Sequence, residues 1–178
     1  AAMTADDLKA IIRTIPDFPK PGIQFRDITT LMGHAAGFSA CVALLAERAG
    51  PADLVAGIEA RGFIFGAALA QRVGCGFVPL RKRGKLPVPT IGIDYALEYG
   101  TDRLELDPGA IAAKARVLLV DDLIATGGTA LAGARLLREA GAVVEQALFV
   151  IDLPDLGGAD RLRQESIASD ALVTFAGH

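Results

Sequence analysis

Two apolar strands, each running through a loop into a helix, constrain this chain most. Leu54 to Ile58 precedes a helical pattern from Gly62 to Val73, and Val117 to Val120 precedes one from Ala130 to Ala140. Short apolar runs without polar alternation need cover on both faces, as parallel strands have. Each helix ends at a glycine, Gly74 or Gly141, and a further apolar strand follows, Phe77 to Leu80 or Val143 to Ile151. Two such βαβ units predict an α/β fold with a parallel core sheet flanked by helices. Ligands are then expected at the carboxyl ends of the strands, where Glu59 to Gly62 and Asp121 to Thr129 fall.

The second of these loops, Val117-Leu-Leu-Val-Asp-Asp-Leu-Ile-Ala-Thr-Gly-Gly-Thr-Ala130, is the more informative. The first backbone N–H groups of a helix lack intrahelical acceptors and sit at the positive end of its dipole, so they suit an anion. Gly127 and Gly128 allow positive φ and close approach to phosphate oxygens, and Thr126 and Thr129 add hydroxyls. The plainer alternative is an ordinary Asp-capped βα turn. The segment resembles the phosphoribosyl-pyrophosphate (PRPP) motif of type I phosphoribosyltransferases. That resemblance implies that Ala125, Thr126, Gly127, Gly128 and Thr129 wrap a 5-phosphate. It also places Asp121 and Asp122 near the ribose hydroxyls and magnesium, the metal being held indirectly through PRPP or water. Strand alternation turns neighbouring side chains to opposite faces, so one acid at most is expected to face the ribose directly.

Three further segments carry the resemblance to the adenine-specific phosphoribosyltransferases. Ile58-Glu-Ala-Arg-Gly-Phe-Ile-Phe-Gly66 matches a loop that meets pyrophosphate, and Arg61 suits it because guanidinium forms paired bonds to phosphate. A structural Glu59–Arg61 ion pair is the alternative. Leu80-Arg-Lys-Arg-Gly-Lys-Leu-Pro87 is the strongest basic cluster, and the resemblance puts Arg81 and Lys85 at the pyrophosphate end, with Lys82 and Arg83 reaching a neighbouring subunit or solvent. A solvated charged face is the ordinary reading of such a run. Thr90 to Leu106 alternates around a Gly-Thr-Asp turn and predicts a flexible hairpin, whose two tyrosines, Tyr95 and Tyr99, are not filler for the main core. By resemblance its Leu97-Glu-Tyr-Gly100 closes over PRPP, with Glu98 the candidate acid/base and Tyr99 its orienting partner. Arg61 and Lys85 complete the expected catalytic set.

At the amino end, Thr4 and Asp7 read as a capping box, with Leu8, Ile11 and Ile12 on one helical face. Pro16, Pro19 and Pro21 with Gly22 enforce an extended, irregular segment, and a helix is expected from Phe38 to Arg48. Phe18 to Asp27 resembles a hood over the base, in which Phe25 stacks on a purine while backbone near Gln24 and Arg26 reads its edge. Phe25 as a hydrophobic plug is the alternative. Asp152 stands where the family often has Glu, and the tail after Gly157 shows no distinctive motif.

The 178 residues, 52% hydrophobic and 22% charged, fit one domain spanning 1–178, with 1–33 as the hood. No apolar run approaches the ~20 residues that span a bilayer, and no leader pattern is visible, so a cytoplasmic protein without membrane partners is expected. A formal net charge of −3 disfavours nucleic-acid binding. Cys41 and Cys75 read as packing residues. The resemblance implies a magnesium-dependent homodimer acting on adenine and PRPP to give AMP and pyrophosphate. The rivals are a phosphoribosyltransferase for another purine and a non-catalytic PRPP sensor. No Gly-x-x-x-x-Gly-Lys occurs, which excludes a Walker-type nucleotide binder.

Overall fold

The computed structural model describes residues 2–97 and 99–177. In chain order its elements are α1 (Ala5–Ile11), β1 (Arg13–Pro16), β2 (Gln24–Asp27), α2 (Thr29–Met32), α3 (Ala35–Arg48), β3 (Leu54–Ile58), α4 (Arg61–Val73), β4 (Gly76–Lys82), β5 (Ile91–Ala96) and β6 (Thr101–Leu106). They continue with β7 (Val117–Ile124), α5 (Gly128–Glu139), β8 (Gln146–Asp152), α6 (Gly158–Gln164) and β9 (Ala168–Thr174).

Among the described residues the main sheet has seven strands in the order β5-β6-β4-β3-β7-β8-β9. From β4 to β9 neighbouring strands run parallel, and the β5–β6 hairpin adds antiparallel to the β4 edge. The expected parallel core is therefore present, extended by the hairpin. Alternation along β7 explains its unbroken apolar run. Val117 and Leu119 enter the core beneath α5, whereas Leu118 and Val120 enter the core formed with α1, α3 and α4. Burying such side chains contributes roughly 1.5–3 kcal/mol each, before conformational entropy is set against it.

The chain leaves β3 toward one side, to β4, and leaves β7 toward the other, to β8. The strand order thus reverses between β3 and β7, where a parallel sheet opens a crevice at its carboxyl edge. Pairing of β3 with β7 ends at Gly57↔Val120, but β7 continues to Ile124. The sequence-expected end of that strand at Val120 is corrected accordingly. Asp121 and Asp122 lie inside the strand, on the stretch that has lost its β3 neighbour.

The opening helix has the expected capping box. Thr4 Oγ1 accepts from the Asp7 N–H at 3.3 Å, and Asp7 Oδ2 accepts from the Thr4 N–H at 2.7 Å. The proline-rich segment differs from expectation, since its flanks pair as a β1–β2 ribbon running from Arg13↔Asp27 to Pro16↔Gln24. Prolines remove donors only within the loop and at the ribbon's end, so flanking residues are free to pair. Tyr95 is also corrected, because it is half-buried against the core under α5.

Candidate active site

Both loops read from the sequence stand at the crevice, but their charged partners are redistributed. Arg61, the first residue of α4, donates Nε–H to Asp122 Oδ2 at 2.6 Å. Glu59, at the end of β3, instead accepts Arg81 Nε–H at 3.2 Å and the Lys82 backbone N–H at 3.0 Å. The Glu59–Arg61 pair is therefore not formed. Helix geometry turns Arg61 across the crevice toward β7, while Glu59 meets the adjacent end of β4. Burial works against the Glu59 charge, yet the Lys82 N–H, Arg81 and Lys85 hold its carboxyl below the ordinary value.

The two acids on β7 take different partners, as strand alternation requires. Asp122 is buried and paired with Arg61, whereas Asp121 Oδ1 accepts the Asp122 backbone N–H at 2.8 Å. Burial, followed by the neighbouring Asp122 charge, pushes the Asp121 carboxyl well above its ordinary range. Gly62 lets α4 approach this strand. A Cβ there would stand 2.9 Å from Asp121 Oδ1 and 3.1 Å from the Val120 carbonyl oxygen.

Past Ile124 the chain turns through Ala125 and Thr126 to Gly127, which takes φ +88° and begins α5 as its N-cap. A side chain would strain this left-handed residue. Among the described residues, the backbone N–H groups of Thr126, Gly127, Gly128 and Thr129 find no protein acceptor. The loop therefore presents unpaired donors at the positive end of a twelve-residue helix.

Of the basic cluster, half-buried Arg81 lies 5.9 Å from the Phe63 ring centroid, and Lys85 is exposed. Lys82 corrects its expected direction, since Nζ bonds to Asp102 Oδ2 at 2.5 Å and to the Tyr95 hydroxyl at 3.0 Å. Arg83 meets Asp94 at 3.7 Å. Both residues thus engage the chain's own hairpin, because β6 pairs with the end of β4. Tyr99 is exposed at the hairpin tip, with Lys20 Nζ 4.4 Å from its ring centroid. Glu98 lies outside the described residues.

On the β1–β2 ribbon, Phe25 packs edge-on to Phe18 with ring centroids 5.3 Å apart, and the Arg26 guanidinium lies 4.3 Å from the Phe175 centroid. Sequence reading missed what fastens this ribbon. Buried Asp27 accepts from Arg13 and from the Thr29 hydroxyl, at 2.5 Å in the latter case. Its distant partners leave no motif. Cys41 is buried in the core with α1, α3 and α4 and Cys75 packs partly buried against it, in line with their reading as packing residues. Burial pushes the Cys41 thiol up to about 12 and raises that of Cys75.

A parallel sheet whose order reverses beside an open glycine-threonine amide loop, faced by guanidinium groups, has the build of a phosphoribosyltransferase. The family model described as phosphoribosyl transferase domain matches residues 34–169. Adenine phosphoribosyltransferases of Erythrobacter litoralis and Novosphingobium aromaticivorans are 65% and 67% identical, each over 99% of this chain and 100% of the relative. The crystal structure of adenine phosphoribosyltransferase from Thermoanaerobacter pseudethanolicus superposes with a TM-score of 0.91 at 45% identity, covering 97% of this chain and 100% of that one. The Giardia lamblia enzyme complexed with 9-deazaadenine has a TM-score of 0.91 at 34% identity, covering 99% of each chain. The chain belongs to the adenine phosphoribosyltransferase family.

Proposed function

We propose that this protein transfers the 5-phosphoribosyl group of PRPP to adenine, releasing AMP and pyrophosphate in purine salvage. The observation that carries the reading is the run of unpaired amides from Thr126 to Thr129 at the switch point of the sheet. With Ala125 they hold the 5-phosphate, and this fixed anion orients the anomeric carbon some distance away. The bond from C1 to pyrophosphate breaks with its electron pair leaving on pyrophosphate. N9 of adenine attacks C1 from the opposite face and loses its proton. Arg61, Arg81 and Lys85 stabilise the departing charge, while one of Asp121 and Asp122 addresses the ribose directly. Phe25 and Arg26 on the ribbon form the base site within a hood of residues 1–33, in a single domain spanning 1–178. Glu98 takes the proton and Tyr99 orients it.

Magnesium fits these donors. The two acids take different partners on β7 and would meet the metal through water or PRPP, whose oxygens suit its hard octahedral shell. Among the described residues no cluster of three or more His, Cys, Asp or Glu is placed to hold a metal ion. When bound, magnesium supplies charge that stabilises the pyrophosphate oxygens. No helix among the described residues is long and apolar enough to cross a membrane. The protein is proposed to be cytoplasmic and to form a homodimer, free of nucleic-acid partners. Exposed Ile64 on α4 and the α3–α4 groove at Phe38, Val42 and Ala68 on the same side of that helix support a twofold contact.

The test is to mix protein, PRPP and Mg²⁺ with each purine in turn and follow nucleotide formation. AMP from adenine is the expected product. Turnover only with guanine, hypoxanthine or xanthine would move the reading to another purine enzyme, and no turnover with any base would favour a PRPP sensor.

A further inference from the structure

The unpaired amides of the glycine-threonine loop have a counterpart on its outer side. Three successive carbonyls are each bonded by the segment that follows β8. Leu153 N–H donates to the Ile124 oxygen at 3.0 Å and Gly158 N–H to the Ala125 oxygen at 3.0 Å. Arg161 Nη1 donates to the Thr126 oxygen at 2.9 Å. The first two donors are backbone, so the third is the only one of the three that a side-chain substitution can remove. The same Nη1 would stand 4.0 Å from a Cβ on Gly128, and the Ala96 carbonyl at the end of β5 would stand 3.7 Å from it. A full positive charge thus adjoins the anion loop where the hairpin reaches it.

We propose that Arg161 is a positioning residue for the 5-phosphate. Its bond holds the Thr126 carbonyl outward, so that the following amides remain aimed into the crevice, and its charge lowers the energy of a dianion on that loop. The inference rests on the 5-phosphate reading of residues 125–129. A planar guanidinium can bond the carbonyl while projecting further donors, and lysine offers only a point charge. Arg161 is exposed, so water and salt screen its charge and the effect is moderate.

Steady-state kinetics of R161Q and R161K test this, with R116Q as a charge control at the amino end of β7. For R161Q the KM for PRPP should rise roughly threefold to tenfold, while kcat and the KM for adenine stay within about twofold. Inhibition by ribose 5-phosphate, which carries the same anion without pyrophosphate, should weaken in proportion. The dependence of KM for PRPP on ionic strength should also flatten. R161K should fall between R161Q and the native protein, and R116Q should match the native protein. Unchanged PRPP and ribose 5-phosphate constants in R161Q overturn the inference. So does a joint loss in kcat, both KM values and thermal midpoint, which marks a merely structural residue. A native protein inactive with adenine and PRPP sinks the underlying reading, whereas an active native protein with an indifferent R161Q sinks only this one.

Discussion

The Arg61–Asp122 ion pair links the proposed binding role of these residues to stability, and the two can be separated. Their sequence separation is 61, and their meeting depends on β3 lying beside β7. Removing Arg61 leaves a buried carboxylate unpaired. The cost is about 1–2 kcal/mol, below that of a sealed pair because solvent reaches the guanidinium. R61Q should therefore lower the thermal midpoint and reduce kcat/KM on the order of a hundredfold. R61Q/D122N should recover the midpoint without recovering turnover. Calorimetry and initial-rate measurements on the two variants check this, and a double variant as labile as R61Q would refute the assignment. This pairing also marks a limit of sequence reading. Arg61 was legible from its local motif, but its partner was not, because Glu59 is two residues away and spacing favours it. Only the strand order sends Glu59 to Arg81. Arg161 was less legible still, lying in a tail without motif and 35 residues from the carbonyl it meets.

At the level of elements, the hairpin is latched to β4 by Lys82, Asp102 and Tyr95. The Lys82 bond, aided by the Arg103 N–H, holds the Asp102 carboxyl below its ordinary value against the opposing effect of burial. Lys82 is raised although burial opposes its charge, because Asp102 and the Tyr95 hydroxyl favour the ammonium. D102N should weaken this latch and speed amide hydrogen exchange across β5 and β6 by roughly tenfold, leaving β7 and β8 protected. If the hairpin shields PRPP, hydrolysis of PRPP without adenine should rise in the same variant. Exchange indistinguishable from the native protein would show that the latch has no mechanical role. The hairpin itself was legible because alternation is a local signal, but its expected Gly-Thr-Asp turn is corrected, since Thr101 and Asp102 already lie within β6 and pair with Ala96 and Tyr95. The latch was not legible, since Lys82 sits in a basic run that reads equally well as a solvated face. Strand β7 shows the converse case. Its apolar run marked a covered strand, but acids at its open end hid the continuation to Ile124.

For the whole molecule, the β1–β2 ribbon is fastened through Asp27, whose carboxyl is lowered from 3.8 to about 2. The Thr29 hydroxyl is the leading cause, with Arg13 next and burial opposing. A depressed carboxyl adds stability above its unfolded value and loses it as pH falls through the folded value. The native protein should therefore exceed D27N in thermal midpoint at neutral pH, and the two should converge as pH falls from 3.8 toward about 2. Thermal scans across that range decide the matter, and a constant difference would exclude Asp27 as the source. The seven-stranded sheet was legible in its parallel centre, from two βαβ patterns, but not in its last strand or in the ribbon. Those depend on pairing partners that no local pattern names.

Among the described residues the ribbon shares no ladder with the main sheet. Leu8, Ile12, Ile28 and Leu31 around it are nonetheless buried in the core with α3 and α4, so substitutions in that region reach the main body through apolar packing rather than through strand pairing. A segment transplanted from a relative would accordingly need matching apolar side chains at those positions to seat on that core.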